Sequence, residues 1–395
     1  MNAFFIPLFA LLGLQSILSL ATFALPVFAP DAVADLGIRI EQIGYVTGLI
    51  YAGTMAAGLM SGTIIGRLGA VRAMQAMMVI AAIGIATVTL GGLAALCVGA
   101  ILIGFAYGPN TPASSSVLAR YTPPHWRNFA FSVKQAGMPL GSVFAGLVVP
   151  ILVAPFGWKV AVLAIAGACL AAALAAEAMR ARWDAGKAEG PPPPLALREV
   201  FGNVRFTLAE PALRRLTFSG MVFISMQFAL STFFVSYLYS GIGIAFETAG
   251  IVYSIAHVAG VLCRPLFGIV ADRWISPTRL LGILGLVMAA AGAAITQIGQ
   301  TTPLPVIIAL GLLLGGTASG WNGVMIAEVS RLAGKNVAGI VGAHVFTSFA
   351  AVVVSPMLFS ALLSATGSYP LAYGAISVLA ALAGATLLLS GRRAG

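Results

Sequence analysis

The chain has 395 residues, of which 60% are hydrophobic and only 8% are charged, and its formal net charge is +10. A water-soluble globular domain carries about 25% charged residues, so the composition excludes that class and indicates a protein embedded in a lipid bilayer. The loops contain neither a nucleotide-binding loop nor a nucleophile elbow, so we expect neither an enzyme nor an ATP-driven pump. The three cysteines lack metal-ligand spacing, and no cofactor or metal is predicted.

Twelve apolar segments follow one another along the chain, each long enough to cross about 30 Å of hydrocarbon as a helix of about 20 residues. The predicted spans 1 to 12 cover residues 4–29, 42–66, 72–90, 93–118, 128–153, 157–179, 213–240, 248–271, 279–299, 303–328, 338–363 and 369–390. The longest polar connection contains the run Pro191–Pro194, which favours an extended linker. We therefore predict an all-α membrane protein with a six-helix half at 1–180, a cytoplasmic linker at 181–212 and a second six-helix half at 213–395.

Two stretches of the first half recur in the second half. Glu41–Gly44 and the apolar run after it match Glu247–Gly250 and its apolar run, 206 positions further on. Gln15–Ser19 in span 1 likewise resembles Gln227–Ser231 in span 7. Repeated sets of membrane spans predict a pseudo-symmetric bundle with a cavity between the halves, which is the architecture of secondary transporters.

The basic residues predict the orientation of the chain in the membrane. If the N-terminus is cytoplasmic, 17 of the 21 Lys and Arg residues lie on the cytoplasmic side, as the positive-inside rule requires. We therefore expect a multi-pass protein of the cytoplasmic (inner) membrane with both termini in the cytoplasm. The positive net charge is explained by this topology and by anionic headgroups, so no nucleic-acid partner is expected.

The loops after spans 2 and 8 carry a family signature. Gly268, Asp272, Arg273 and Arg279 match the pattern G-x-x-x-D-R-x-G-x-x-R with altered spacing, and the first-half copy has Gly66 in place of the aspartate. On these motifs the chain resembles, over essentially its full length, a transporter of the major facilitator superfamily. The resemblance implies twelve helices in two six-helix halves and transport by alternating access.

The same resemblance implies that charged loops hold the cytoplasmic side closed. The implied members of this network are Arg67, Arg72, Asp272, Arg273, Glu328 and Arg331. The repeat also pairs Arg120 after span 4 with Glu328 at the end of span 10, 208 positions apart, and opposite charges there would form an inward gate. The alternative is that both residues mark the membrane interface, where long polar side chains reach the headgroups.

Two cations lie inside predicted spans, Lys134 in span 5 and Arg264 in span 8. A charge at a helix centre costs about 2.5–3.5 kcal/mol on insertion scales, so each is a functional hypothesis. Neither span contains a neutralising carboxylate, which predicts an anionic substrate, and an arginine offers a fork for a carboxylate or phosphate. The alternative for Lys134 is extension to the cytoplasmic surface. Some anion carriers of the family, including monocarboxylate and oxalate carriers, resemble this chain in having an arginine in span 8.

Two histidines also lie inside spans. His257 precedes Arg264 by seven residues and shares its helix face, while His344 lies early in span 11. A histidine can carry a co-transported proton or bind the anion, whereas the alternative is a hydrogen bond to a neighbouring carbonyl. The repeat places Tyr51 opposite His257, so the halves have diverged at the expected cavity.

Neutral polar residues complete the predicted binding site. They are Gln15, Ser19, Asn110, Gln227, Ser231, Trp321 and Asn322. Such side chains suit hydrogen bonding around a small ligand, and the competing explanation is polar contact between helices.

The sequence therefore predicts a secondary transporter of a small, carboxylate-like organic anion, driven by proton symport or by exchange. The expected partners are the anion, a proton or counter-anion and the lipid bilayer, with the protein as a monomer. One alternative is a proton-coupled exporter of hydrophobic or zwitterionic compounds. Against it, Gly137-Met-Pro139-Leu-Gly141 in span 5 departs from the drug-antiporter signature. Another alternative is a non-transporting membrane sensor or scaffold with the same fold.

Overall fold

The computed structural model describes residues 2–122, 130, 133–184, 197–333 and 337–391. Within them, eleven helices are long and apolar enough to cross a membrane. The chain forms two compact units, Met1–Leu195 and Ala196–Gly395, and the boundary falls inside the predicted linker. The predicted all-α architecture is confirmed.

The first unit contains spans 1 to 6. They are Asn2–Leu36 (span 1), Ile43–Leu59 followed by Ser61–Leu68 (span 2), Ala70–Thr87 (span 3), Gly92–Tyr107 followed by Asn110–Tyr121 (span 4), Gly137–Phe156 (span 5) and Trp158–Trp183 (span 6). Span 2 is interrupted at Met60, where the Ser61 hydroxyl donates to the Gly58 carbonyl at 2.6 Å. This local bond competes with regular helix bonding, so the predicted single span is built as two helices.

The second unit contains spans 7 to 12. They are Pro211–Ser236 extended by the π-helical turn Tyr237–Ile242 (span 7), Phe246–Arg273 (span 8), Pro277–Ile295 (span 9), Leu304–Gly320 followed by Asn322–Leu332 (span 10), Val337–Thr366 (span 11) and Tyr369–Gly391 (span 12).

The linker differs in part from its prediction. Leu197–Ala209 forms a helix that packs against span 11 and buries Thr207 completely. Phe201 remains 59% exposed although its ring packs edge-on against Phe346 of span 11, with ring centroids 6.4 Å apart, and Phe206 is also exposed. This part of the linker is therefore helical rather than extended. The run Pro191–Pro194 lies outside the described residues.

The same helix pairs pack in both units. Spans 1 and 5, 2 and 4, and 3 and 6 are paired in the first unit, and spans 7 and 11, 8 and 10, and 9 and 12 in the second. The two units therefore repeat not only stretches of sequence but also the pairing of their helices.

Glycines allow two of these pairs to meet backbone to backbone. A Cβ at Gly104 in span 4 would collide with the carbonyl oxygen of Ile50 in span 2. A Cβ at Gly315 in span 10 would collide with the carbonyl oxygen of Ala256 in span 8. Ile50 and Ala256 are 206 positions apart, the separation of the sequence repeat, so both units use the same close approach.

Gly315→Ala should lower the stability of the second unit, because the added methyl group overlaps the backbone of span 8. Overpacking of this kind costs about 1–3 kcal/mol. The control is Gly323→Ala in the same span, where a Cβ would meet nothing within 4 Å. Thermal unfolding of the purified protein in detergent should show a lower melting temperature for Gly315→Ala alone. Equal melting temperatures would contradict the close contact.

The start of span 3 is capped by a residue from span 6. The carboxylate of Asp184 accepts hydrogen bonds from the backbone N–H groups of Val71 (2.9 Å) and Arg72 (3.3 Å). Gly69 has a φ of +89°, and a Cβ there would lie 2.7 Å from the Asp184 Cγ atom. Position 69 in the loop after span 2 therefore requires a glycine. The carboxylate beside it belongs to Asp184 at the end of span 6.

Asp184→Ala should destabilise the first unit by about 0.5–2 kcal/mol, the usual cost of removing a helix cap. Asp184→Asn keeps an acceptor oxygen and should retain most of that stability, losing only the attraction between the charge and the helix terminus. Hydrogen exchange at the start of span 3 would report the effect locally. Unchanged protection in Asp184→Ala would show that the cap contributes nothing.

Candidate functional site

The first unit ties span 1 to the interruption of span 4 by a buried hydrogen-bond network. Gln15 Nε2 donates to Tyr107 OH at 3.0 Å and to Ser19 Oγ at 3.2 Å, and Asn110 Nδ2 donates to Gln15 Oε1. Ser19 Oγ and Tyr107 OH are 3.5 Å apart. Every polar atom of the Gln15 amide is therefore used inside the unit.

The second unit ties span 7 to the interruption of span 10 in the corresponding place. Asn322 Nδ2 donates to Gln227 Oε1 at 3.2 Å. The helix is interrupted at Trp321, and the carbonyls before an interruption lose their usual partners in the helix. Trp321 Nε1 donates to the Ala318 carbonyl at 2.8 Å, and Trp321 packs edge-on against Phe223.

The carbonyl oxygen of Ser319 gathers two donors at this interruption. Arg264 Nε of span 8 donates to it at 3.0 Å, and Asn322 Nδ2 approaches it at 3.5 Å. Arg264 is half-buried. Three hydrogen bonds thus connect Arg264, Asn322 and Gln227 from three different spans.

The two amide pairs fix the register of the repeat. Asn110 with Gln15 and Asn322 with Gln227 each lie 95 positions apart, and the second pair follows the first by 212 positions. At this register Glu328 corresponds to Ser116 rather than to Arg120. Arg120 is thus offset by four positions from the counterpart of Glu328 at this register, and the gate between the two residues stays a prediction.

At the same register, one residue beside the Gln–Asn pairs differs between the two units. Tyr107 of span 4 corresponds to Ser319 of span 10. In the first unit Ser19 meets Tyr107, whereas in the second Ser231 Oγ lies 3.5 Å from His257 Nε2. The two halves therefore complete the same framework with different side chains.

His257 and Tyr51 occupy corresponding positions in spans 8 and 2, and both are buried. The His257 ring also packs on Tyr253, with ring centroids 4.5 Å apart, and Tyr253 OH donates to the Ser231 carbonyl at 3.4 Å. His257 thus belongs to the same polar region as Ser231 and Gln227.

His344 lies in a different contact, where span 11 packs on span 7. Its Nδ1 is 3.3 Å from Thr217 Oγ1, and a Cβ at Gly220 would lie 2.9 Å from its Cε1 atom. The side chain is 2% exposed. This arrangement holds the ring between two helices.

Lys134 lies just before Gly137, the first residue of span 5, and its side chain is only 1% exposed. Its Nζ atom is 3.2 Å from Gln135 Oε1 and 3.5 Å from Thr111 Oγ1. Both of these neighbours are exposed. No ion pair among the described residues includes Lys134. A buried ammonium is therefore bordered by neutral oxygens beneath an accessible polar surface.

Several of the predicted gating residues have contacts inside their own units. Glu328, 3% exposed, accepts two hydrogen bonds of 2.8 Å from Arg331 and one of 2.7 Å from Thr278 at the start of span 9. Arg120 Nη1 donates to the Trp183 carbonyl at 3.3 Å, at the C-terminal end of span 6. A cation there also interacts favourably with the helix dipole.

Span 6 supplies acidic partners that the sequence prediction omitted. Glu177 forms ion pairs with Arg72 (3.3 Å) and Arg180 (2.7 Å) and accepts from Gln75 Nε2 at 2.9 Å. Together with Asp184 it surrounds the start of span 3 with carboxylates. The glycine at position 66 was the available signal, because a loop that lacks its signature acid needs another one nearby. Arg67, Asp272 and Arg273 are exposed.

Eleven candidate membrane spans among the described residues, in two units with the same helix pairing, form the architecture of a secondary transporter. The chain belongs to the Major Facilitator Superfamily, whose family model matches residues 11–356. The resemblance drawn from the loop signature is confirmed.

Solved transporter structures share the fold at low sequence identity. A mutant of the peptide transporter POT is 17% identical, with a TM-score of 0.77 over 98% of this chain and 94% of that chain. A bacterial homolog of the human lysosomal transporter Spinster is 15% identical, with a TM-score of 0.75 over 98% and 96%. A mutant of the nucleoside transporter NupG is 14% identical, with a TM-score of 0.76 over 97% and 98%. No curated protein matches the chain in sequence.

Proposed function

We propose that the protein imports a small, carboxylate-like organic anion across the cytoplasmic membrane by alternating access, with proton symport or anion exchange as the driving reaction. Both termini face the cytoplasm, and the monomer is the working unit. Membrane transport follows from family and fold, whereas the anion, its coupling and the direction belong to the proposal.

The observation that carries the proposal is the surroundings of Lys134. An ammonium buried without a carboxylate costs several kcal/mol unless another negative group compensates it. Its neighbours Thr111 and Gln135 offer neutral oxygens and are themselves exposed. A transported anion that reaches this surface would supply the missing charge.

Arg264 supports the same reading from the second unit. Its Nε atom donates to the Ser319 carbonyl, which Asn322 Nδ2 also approaches, and Asn322 in turn donates to Gln227. Charge-assisted hydrogen bonds from an arginine to a carboxylate are shorter and stronger than neutral ones. A cation and an amide pair side by side form a suitable receptor for a carboxylate.

His257 is the residue that we assign to proton coupling. Its Nε2 atom lies 3.5 Å from Ser231 Oγ, in the polar region that contains the amide pair. Histidine is the side chain whose charge changes most readily near neutral pH, so a proton taken up here would neutralise the charge of the anion during transport. His344, held between spans 7 and 11, is the second candidate.

A thermal-shift screen of the purified protein tests the proposal. The compounds are acetate, lactate, oxalate, succinate, phosphate, neutral amino acids and lipophilic cations, each with wild type and with Arg264→Ala. A ligand at 100 times its dissociation constant adds about 2.7 kcal/mol of stability. We expect stabilisation by one class of carboxylate, lost in Arg264→Ala, and counterflow of that carboxylate in proteoliposomes.

Two outcomes would reject the proposal. Stabilisation by neutral or cationic compounds that persists in Arg264→Ala would favour the exporter. Binding of a carboxylate without any counterflow would favour a sensor that has kept the fold.

A further inference from the structure

The two Gln–Asn pairs correspond in sequence and in contact, but their free hydrogen-bonding capacity differs. In the first unit the Gln15 amide donates to both Tyr107 and Ser19. In the second unit, among the described residues, no acceptor lies within hydrogen-bond distance of Gln227 Nε2. Gln227 is nevertheless 94% buried, since its exposed fraction is 6%.

The orientation of the Gln227 amide follows from a backbone acceptor. Asn322 Nδ2 faces the Ser319 carbonyl, so the nitrogen and not the oxygen of the Asn322 amide lies on that side. The same nitrogen contacts Gln227 at 3.2 Å, which requires the Gln227 oxygen to face it. The NH2 group of Gln227 must therefore point away from Asn322, with both hydrogens available.

Two differences leave the Gln227 donors without partners. The Tyr107 hydroxyl accepts one N–H of Gln15, and Ser319 stands at the corresponding position in the second unit. Ser19 Oγ accepts the other N–H of Gln15, whereas Ser231 Oγ donates to the Gln227 backbone carbonyl at 3.0 Å. Gln15 is also pressed against span 5, since a Cβ at Gly137 would lie 2.6 Å from its Cγ atom. The Gln227 nitrogen is not among the fully buried polar atoms that lack a partner, so it reaches accessible space where a ligand oxygen could accept from it.

We infer that Gln227 is a specificity-determining residue whose NH2 group donates to an oxygen of the transported ligand beside Arg264, whereas Gln15 is structural. The inference rests on the proposed function and deepens it. The carboxylate is held in the second unit by one charged and one neutral donor. In the first unit, Gln15 belongs to a closed hydrogen-bond framework.

A matched pair of variants tests, without any ligand, whether Gln15 is structural and Gln227 is not. Gln15→Met removes the acceptor of Asn110 and the donor to Tyr107 and Ser19, whereas Gln227→Met removes only the acceptor of Asn322. We expect the melting temperature to fall at least twice as far in Gln15→Met. An equal or larger fall in Gln227→Met would overturn the inference, because Gln227 would then be a structural amide.

Gln227→Glu tests whether the Gln227 NH2 group binds the ligand. The carboxylate keeps the oxygen that accepts from Asn322 and replaces only the free NH2 group by a negative oxygen. For the carboxylate that stabilises wild type in the screen, we expect at least a tenfold loss of affinity in Gln227→Glu. A thermal shift as large as that of wild type would overturn the inference and leave the anion proposal standing.

The remaining outcome separates the two claims. If no carboxylate or phosphate stabilises wild type, the anion proposal fails. The donor role of Gln227 is then decided by the melting temperatures of the two methionine variants and by the neutral compounds of the screen. Weaker binding of such a compound to Gln227→Met supports the donor role, and unchanged binding overturns it.

Discussion

Lys134→Met should raise the melting temperature of the ligand-free protein and at the same time reduce its stabilisation by the anion. Methionine has a similar length and no charge, so it removes the cost of burying an ammonium between neutral oxygens. Loss of a charge-assisted hydrogen bond to the ligand costs about 1.5–3 kcal/mol, which corresponds to roughly a 10- to 150-fold weaker affinity. Thermal shift with and without the carboxylate measures both effects in one experiment.

The control for this prediction is Lys159→Met. Lys159 is exposed and lies 5.5 Å from the centre of the Trp158 ring at the start of span 6. Neither the stability nor the anion response should change appreciably in this variant. A fall in stability of ligand-free Lys134→Met would instead indicate that Lys134 holds the first unit together, and the binding role would lose its main support.

His257→Asn should abolish accumulation driven by a pH gradient while anion counterflow continues. Asparagine preserves a polar side chain near Ser231 but takes up no proton at neutral pH. Counterflow exchanges anion for anion and needs no net proton movement, so it separates binding from coupling. Both rates are measured in proteoliposomes with the labelled carboxylate, with and without an imposed pH gradient.

His344→Asn is the matched variant for coupling. Its ring contacts Thr217 and Gly220, away from Ser231, and we expect gradient-driven accumulation to continue. If His344→Asn abolishes accumulation and His257→Asn does not, the assignment of the coupling residue is reversed. If neither variant changes accumulation, neither histidine carries the coupled proton, and if wild type shows no gradient-driven accumulation, the transporter works by exchange.

Apolar length and internal repetition carried enough information to predict the spans and the family. A hydrocarbon layer imposes helix lengths directly on composition, so a run such as 369–390 in the sequence returns as the helix Tyr369–Gly391. The interruptions at Met60 and Trp321 were beyond such reasoning. Both sites lie inside runs long and apolar enough to be predicted as single spans, and the interruptions depend on hydrogen bonds that only the folded chain makes.

The register of the repeat was predictable only in part. Spans 2 and 8 keep the separation of 206 positions, whereas spans 1 and 4 correspond to spans 7 and 10 at 212. A change in separation arises from loops of different length, so no single offset aligns the halves. The contacts of Asn110 and Asn322 were needed to place Tyr107 opposite Ser319.

The Asp184 cap could not be predicted from the sequence either. Asp184 follows span 6, more than a hundred positions from the backbone groups that it binds. The missing aspartate at Gly66 indicated that the first-half loop departs from the family pattern. It did not indicate which element would supply the replacement, because spans 3 and 6 become neighbours only on folding.

The exchange between Tyr107 and Ser319 has a consequence for how such a protein diversifies. Two halves descended from one duplicated segment begin with the same tolerance to amino-acid substitution. The closed hydrogen-bond network around Gln15 then makes the first half less tolerant than the second. Substitutions around Gln15 break several buried bonds at once, while substitutions around Gln227 alter a donor that the fold does not consume. Related carriers that have adopted new substrates should therefore differ mainly at the positions of Gln227, His257 and Ser319. In these carriers, the first half should keep a tyrosine at the position of Tyr107, while the second half changes with the substrate.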